Sequence, residues 1–308
     1  MKTDSELLQF YNATLQPILE PLEKFRIEKL AKAKLNFYLS LPFFCVLLIG
    51  IFFENKLIIV LSFVVGSFFL GSFIYEFVGM VNYLKKHFKY KVMSEILNFL
   101  FEDYEYIPNQ KIAKSVLSKS MLFPINISYI DGEDFMRFRM GETSIMFCET
   151  LAYTVKSKIK FEGLFISASF NKSFKSKTFV IHRSIKNYYR TALKFFLNDI
   201  KVVKLEDKSF SNEFQIYGTD QVEARYILTP SLMQRILDYK IKTDKNISLS
   251  FVDNRLYCAI PKYSNHFEPA IFRSFNFEFI KYTIAPLKLY TDLVEDLNLN
   301  LRIWSKHD

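Results

Sequence analysis

Hydrophobic positions crowd into two runs near the start of the chain and give way to alternating patterns after about residue 120. Leu35–Phe53 and Leu57–Tyr75 are each 19 residues long and carry no charge, and only Glu54-Asn55-Lys56 parts them. A helix of that length rises roughly 28 Å, close to the ~30 Å hydrocarbon thickness of a bilayer. The pattern predicts two membrane-spanning helices folded into an antiparallel hairpin. A buried helical pair in a soluble core is the alternative, and two tandem runs without a charge weigh against it. In the second run Ser62/Gly66 and Ser67/Gly71 are small pairs one turn apart, suited to close packing on the first helix or on a second copy of the chain.

Before the hairpin, residues 3–34 read as helical from a capping box at Thr3-Asp4-Ser5-Glu6. Leu8, Tyr11, Leu15, Ile18, Leu22 and Phe25 form a seam at spacings of three and four, expected to pack on the downstream part of the chain or on another subunit. Pro17 and Pro21 predict a kink or two shorter helices. After the hairpin, Tyr83–Phe101 reads as an amphipathic helix and Asn109–Ser120 as a shorter one.

The period then turns to alternation. Ile125–Ile130, Asp134–Met140, Thr143–Val155, Lys158–Phe170 and Thr178–His182 read as strands, with turns at Asp131-Gly132 and Gly141-Glu142. Asn187–Asn198 reads as a helix, and Glu213–Tyr217 and Glu223–Leu228 as strands. Thr229-Pro230 caps a helix over Ser231–Ile241, Asp253-Asn254 joins strands Ile247–Val252 and Arg255–Ile260, and a last helix covers about Phe279–Leu297. The expected fold is α+β: an N-terminal helical segment (1–34), a transmembrane hairpin (35–79), and a cytoplasmic domain (80–308) built on a mainly antiparallel sheet.

Four blocks resemble a known family. Phe161-Glu162-Gly163-Leu164-Phe165-Ile166-Ser167-Ala168-Ser169-Phe170-Asn171-Lys172 is similar to its FxGLFFxADFNK block, with Ser169 where the family pattern has a carboxylate. Gln221–Pro230 resembles xxEARYILTP, Ser248–Pro261 resembles xLSFVDxxLYxAIP, and Glu295–Asn300 fits near the end. Together they look like the bacterial family called domain of unknown function 3137. That resemblance implies an N-terminal helix, a two-span hairpin and a cytoplasmic domain, and it brings no catalytic or binding residues.

Charge sharpens the topology. The protein carries a net +9, with Lys24, Arg26, Lys29, Lys32 and Lys34 before the first run and Lys85, Lys86, Lys89 and Lys91 after the second. Positive residues stay on the cytoplasmic side, so both termini are expected in the cytoplasm of a bacterial inner-membrane protein. Thirty-four mostly polar residues ahead of the first run argue against a cleaved signal peptide. Three widely spaced cysteines (Cys45, Cys148, Cys258) exclude a disulfide framework or a Cys-rich zinc domain.

Candidate chemistry is sparse. His87, His182, His266 and His307 are isolated, no metal-binding spacing occurs, and no glycine-rich loop opens a helix, so neither metal nor cofactor is expected. Asp131, Glu133 and Asp134 read as a solvated acidic turn, Cys148 and Cys258 as buried inert thiols, and Glu223 with Arg225 as an ion pair on one strand face or a polar-ligand pair. His182 with Glu149 or Asp220 is a conceivable base, and an ordinary surface or sheet histidine is the favoured reading.

The strongest functional signal is basic. Residues 156–208 hold thirteen Lys and Arg against four acids, a net +9 that equals the charge of the whole chain. Lys156, Lys158 and Lys160 alternate along a strand; Lys172, Phe174, Lys175 and Lys177 form a basic turn with an apolar tip; Arg183, Lys186, Arg190 and Lys194 follow. On a tethered domain such a surface suits anionic lipid headgroups or an acidic protein partner. Nucleic acid is the less favoured ligand because binding it also calls for an exposed aromatic platform. The expected function is a scaffold or adaptor at the membrane. The alternatives are a tethered enzyme with a cleft on the sheet and an oligomeric structural protein joined through Leu15 and Ile18.

Overall fold

A computed structural model describes residues 3–123, 127–140, 143–155, 159–169, 174–185, 193, 198–244, 246–261 and 267–296. The chain divides into two compact units, residues 1–100 with 267–284, and residues 101–266 with 285–308.

The first unit is helical. Helix α1, Asp4–Phe10, begins at the expected capping box: Thr3 Oγ1 accepts the Glu6 N–H and the Thr3 N–H donates to Glu6 Oε2. A π-helical turn over Tyr11–Leu15 leads into α2, Gln16–Phe52, which runs unbroken through Pro21 and Pro42. Of the kink or two shorter helices expected at Pro17 and Pro21, the helical irregularity falls at Tyr11–Leu15, just ahead of Pro17, and α2 continues past Pro21. The Gln16 N–H reaches back to Tyr11 O, and this wider turn directly before Pro17 makes room for a ring that cannot donate. The extra residue also rotates the buried stripe. Leu7, Leu15, Leu19, Leu22 and Arg26 are buried while Leu8 is exposed, and Phe10 stacks on Phe99 with ring centroids 4.1 Å apart.

Helix α3, Lys56–His87, starts where Asn55 Oδ1 accepts the N–H groups of Leu57 and Ile58. The two long helices pack closely: a Cβ on Gly50 would lie 2.9 Å from Ile58, and one on Gly66 3.1 Å from Phe43. Ser62 and Gly66 thus face the first helix, whereas Gly71 is exposed with nothing near it. Asn36 Nδ2 donates to Ser72 Oγ at 2.9 Å, and Glu76 holds both Lys29 (3.0 Å) and Lys32 (2.6 Å). Both helices are long and apolar enough to cross a membrane, and only 11% of the most apolar stretch of each is buried within the chain. A second π-helical turn, Phe88–Val92, leads to α4, Met93–Leu100.

The second unit is an antiparallel sheet with helices, as the alternation predicted. Its strands are β1 (Tyr104–Ile107), β2 (Tyr129–Met140), β3 (Thr143–Tyr153), β4 (Ile159–Ser169), β5 (Thr178–His182), β6 (Lys201–Val203), β7 (Phe214–Gly218), β8 (Ser248–Val252) and β9 (Arg255–Pro261). They stand in the order β1-β2-β3-β4-β9-β8-β5-β7-β6. Helices α5 (Lys114–Lys119), α6 (Lys208–Glu213), α7 (Gln221–Ile227) and α8 (Pro230–Thr243) interleave with them, and α9 (Phe277–Asp296) closes the described chain. Phe135, Cys148, Phe165, Phe179, Ile181, Tyr217 and Tyr257 belong to one buried core cluster.

Three expectations are corrected. Asp131-Gly132 is no turn: β2 runs through it, paired with β3, and a bulge between Glu133 and Met136 takes up the irregularity with Asp134 at φ 56°. Residues 221–227 are helical rather than extended, because Asp220 Oδ1 caps the N–H groups of Val222 and Glu223. The helix expected over 109–120 is only α5, preceded by strand β1. Thr229 caps α8 with Pro230 at its first position, and Asp253-Asn254 turns β8 into β9, both as predicted. The expected helix 187–198 lies almost wholly outside the described residues.

Candidate basic surface and buried acidic cluster

Of the basic segment, Lys156, Lys158, Lys172, Lys186, Arg190 and Lys194 lie outside the described residues, as does the side chain of Lys160 on β4. Phe174, Lys175, Lys177 and Arg183 are described. The turn before β5 is braced from three directions. The Phe174 N–H donates to Asp253 O, the Lys175 and Ser176 N–H groups donate to the two carboxylate oxygens of Glu223 at 3.0 and 2.6 Å, and the Lys177 N–H donates to Thr219 Oγ1 at 3.0 Å. Laid against the β8–β9 hairpin in this way, Phe174 turns inward. It is buried with its ring edge-on to Phe251, so it is not an exposed apolar tip.

Lys175 is exposed and Lys177 half-buried on this turn. Arg183 is exposed beyond the far end of β5, where its Nε donates to Ser211 O at 2.6 Å. Five strand residues separate the two places, roughly 17 Å of extended chain. The structure therefore brings Lys175 and Lys177 together and leaves Arg183 apart. Glu223 and Arg225 do not share a face on α7: Glu223 faces the basic turn, and Arg225 donates to Lys204 O at 3.3 Å.

The acidic residues read as a solvated turn behave differently. Glu133, Asp134 and Glu149 bring carboxylate oxygens within 4.8 Å of one another, with Asp134 and Glu149 buried. The bulge turns Asp134 inward, and Tyr106 from β1 donates its hydroxyl to Asp134 Oδ1 at 2.7 Å. Burial, with these carboxylates next to it, pushes the Tyr106 phenol far above its usual range. As a set of ligands these three carboxylates are all oxygen, which suits a hard cation better than zinc. The sequence signal was the local pair Glu133-Asp134; its completion by Glu149 depends on the β2–β3 register, which pairs Glu133 with Glu149 directly.

The neighbouring Cys148 has its thiol pushed up to about 12 by burial, and burial raises the Cys258 thiol as well. Both are buried, protonated thiols, in line with the sequence reading. His182 meets neither Glu149 nor Asp220. Its Nε2 lies 3.6 Å from Glu213, which also holds Lys240 at 2.9 Å, and its Nδ1 lies 2.8 Å from Ser184 Oγ and 3.3 Å from the Ser184 N–H. Accepting that backbone N–H at Nδ1 leaves the proton on Nε2, facing Glu213.

Residues 159–299 match the model of a family described as "Protein of unknown function (DUF3137)". Comparison with curated proteins gives no match. Among solved structures, the chain is similar to the crystal structure of the mycobacterial trehalose monomycolate transport factor A, TtfA, at 10% identity and a TM-score of 0.33, over 63% of this chain and 88% of that one. That likeness is too loose to define fold or function.

Proposed function

We propose that this chain, whose residues 159–299 belong to the DUF3137 family, is a membrane-anchored scaffold or adaptor. In this reading α2 and α3 cross the bacterial inner membrane as a hairpin with both termini cytoplasmic, and the basic segment 156–208 contacts anionic headgroups or an acidic partner. The observation that carries the reading is the bare apolar surface of the hairpin. Leu48, Phe52, Val60, Leu61, Val64 and Phe68 are all exposed, and large apolar side chains bared together along a helical pair mark a surface that calls for an apolar partner. The lysines flanking both helices support the orientation. A tether keeps the basic segment at high effective concentration beside the headgroups, where each Lys or Arg is worth about 1 kcal/mol.

Lysine-acetylation footprinting of the full chain in nanodiscs tests the contact. Protection of Lys175 and Lys177 in anionic but not zwitterionic discs, lost as salt rises, is the expected result. Equal acetylation in both discs at low salt overturns lipid contact and leaves the charge for an acidic protein.

A further inference from the structure

The helical unit contains a stretch that lies far from the hairpin in sequence. Residues 267–276 return to the base of the two long helices and are pinned there. Lys85 Nζ holds Glu268 at 2.6 Å. Arg26, itself buried, donates Nη1 to Ile271 O at 3.0 Å and pairs with Glu23, whose Oε2 accepts the Phe275 N–H at 3.2 Å. Phe267 and Phe275 are buried by this docking. Between the pins the chain turns, with the Arg273 N–H donating to Ala270 O. Phe272, on that turn, is 73% exposed.

A phenylalanine held open by a fixed backbone has an energetic preference for an apolar neighbour, and its position identifies that neighbour. Its ring stacks on Phe77 at 6.1 Å with an interplanar angle of 24°. Phe77 lies two residues beyond Tyr75, the end of the second charge-free run, so about 3 Å further along the helix axis. Glu76 with Lys29 and Lys32 marks the same level, where charge becomes tolerable. Tyr75 is exposed there too, and aromatic side chains concentrate at such boundaries. Arg273, also exposed, stands next to Phe272 with a cation for a headgroup phosphate.

We infer that Phe272 is an interfacial anchor: the turn Ile271–Ser274 inserts it into the acyl–headgroup boundary of a phospholipid bilayer, as a third point of membrane attachment. The anchor rests on the hairpin crossing that bilayer and is independent of the basic segment.

Tryptophan quenching in the full chain tests it. Trp304 is the only tryptophan, so Trp304→Phe gives a silent background for F272W, L61W about one turn into the apolar run of α3, and V222W on the sheet unit. Each variant is reconstituted in phosphatidylcholine brominated high on the acyl chain. The expected result is about a twofold loss of F272W emission, with L61W also quenched and V222W unchanged. F272W quenched no more than V222W, with L61W quenched, overturns the anchor and leaves the hairpin standing. An unquenched L61W overturns the hairpin and the anchor with it.

Discussion

The carboxylate of Glu223 accepts the backbone N–H of Ser176, 47 residues earlier in the chain, at 2.6 Å. With the Lys175 N–H on its other oxygen, one side chain of α7 sets the shape of the basic turn. Glu223→Ala leaves two backbone donors without their acceptor and is expected to cost about 1–3 kcal/mol. Trypsin should then cut at Lys175 and Lys177 much faster than in the parent protein. Glu223→Gln keeps one good acceptor and should fall between the two. Unchanged cleavage in Glu223→Ala would show that the turn is held by Phe174 and Thr219 alone.

Tyr106 and Asp134 form the second tight pair. Asp134 is fully buried, so Tyr106→Phe removes a donor from a carboxylate that water cannot reach. The expected loss is about 1–3 kcal/mol in denaturant unfolding. Tyr106→Phe combined with Asp134→Asn should recover part of that loss, because the burial of negative charge is relieved.

Acid sensitivity follows from His182. Burial holds its pKa below the ordinary 6.5, with Glu213 pulling the other way and less strongly. The unfolded chain therefore takes up a proton before the folded chain does. Stability contributed by the neutral imidazole is full above about pH 6.5 and is lost as pH falls towards the lower folded value. Glu213, held below its ordinary 4.5 chiefly by its hydrogen bond to Lys240, adds a second loss at more acidic pH. Melting temperature measured against pH should decline below about pH 6.5, and His182→Gln should flatten the first part of that decline. An identical profile in His182→Gln would place the acid sensitivity elsewhere.

Gly163 on β4 pairs with Pro261 on the neighbouring antiparallel strand β9, and a Cβ there would strike the carbonyl oxygen of Ile260. Gly163→Ala is expected to destabilise the sheet unit by about 2–4 kcal/mol, read from the midpoint of chemical unfolding.

The elements legible in the sequence were those whose signal is local. The Thr3 and Thr229 caps, the Asp253-Asn254 turn and the long charge-free runs each carry their cause within a few residues, and each appears as read. What the sequence hid depends on distant partners. Glu223–Leu228 alternates well enough for a strand, yet Asp220 upstream caps it into a helix whose glutamate serves a loop 47 residues away. Strand β6 and helix α6 are too short to show a period. The acidic cluster needs the register of β2 on β3, and the docking of 267–276 needs Arg26, 245 residues from its acceptor at Ile271. Most of the basic segment was visible as charge, but its inward-facing Phe174 was not, since burial of one ring in a polar turn leaves no pattern.

In the proposed topology α2 and α3 cross a membrane with both termini cytoplasmic and the turn at Glu54–Lys56 on the outer side. Cysteine accessibility in intact cells tests it directly, with Asn55→Cys and Lys175→Cys placed separately in a cysteine-free background. An impermeant maleimide should label Asn55→Cys in intact cells and Lys175→Cys only after the membrane is permeabilised. Labelling of both residues before permeabilisation, or of neither, would contradict a two-span hairpin in this orientation.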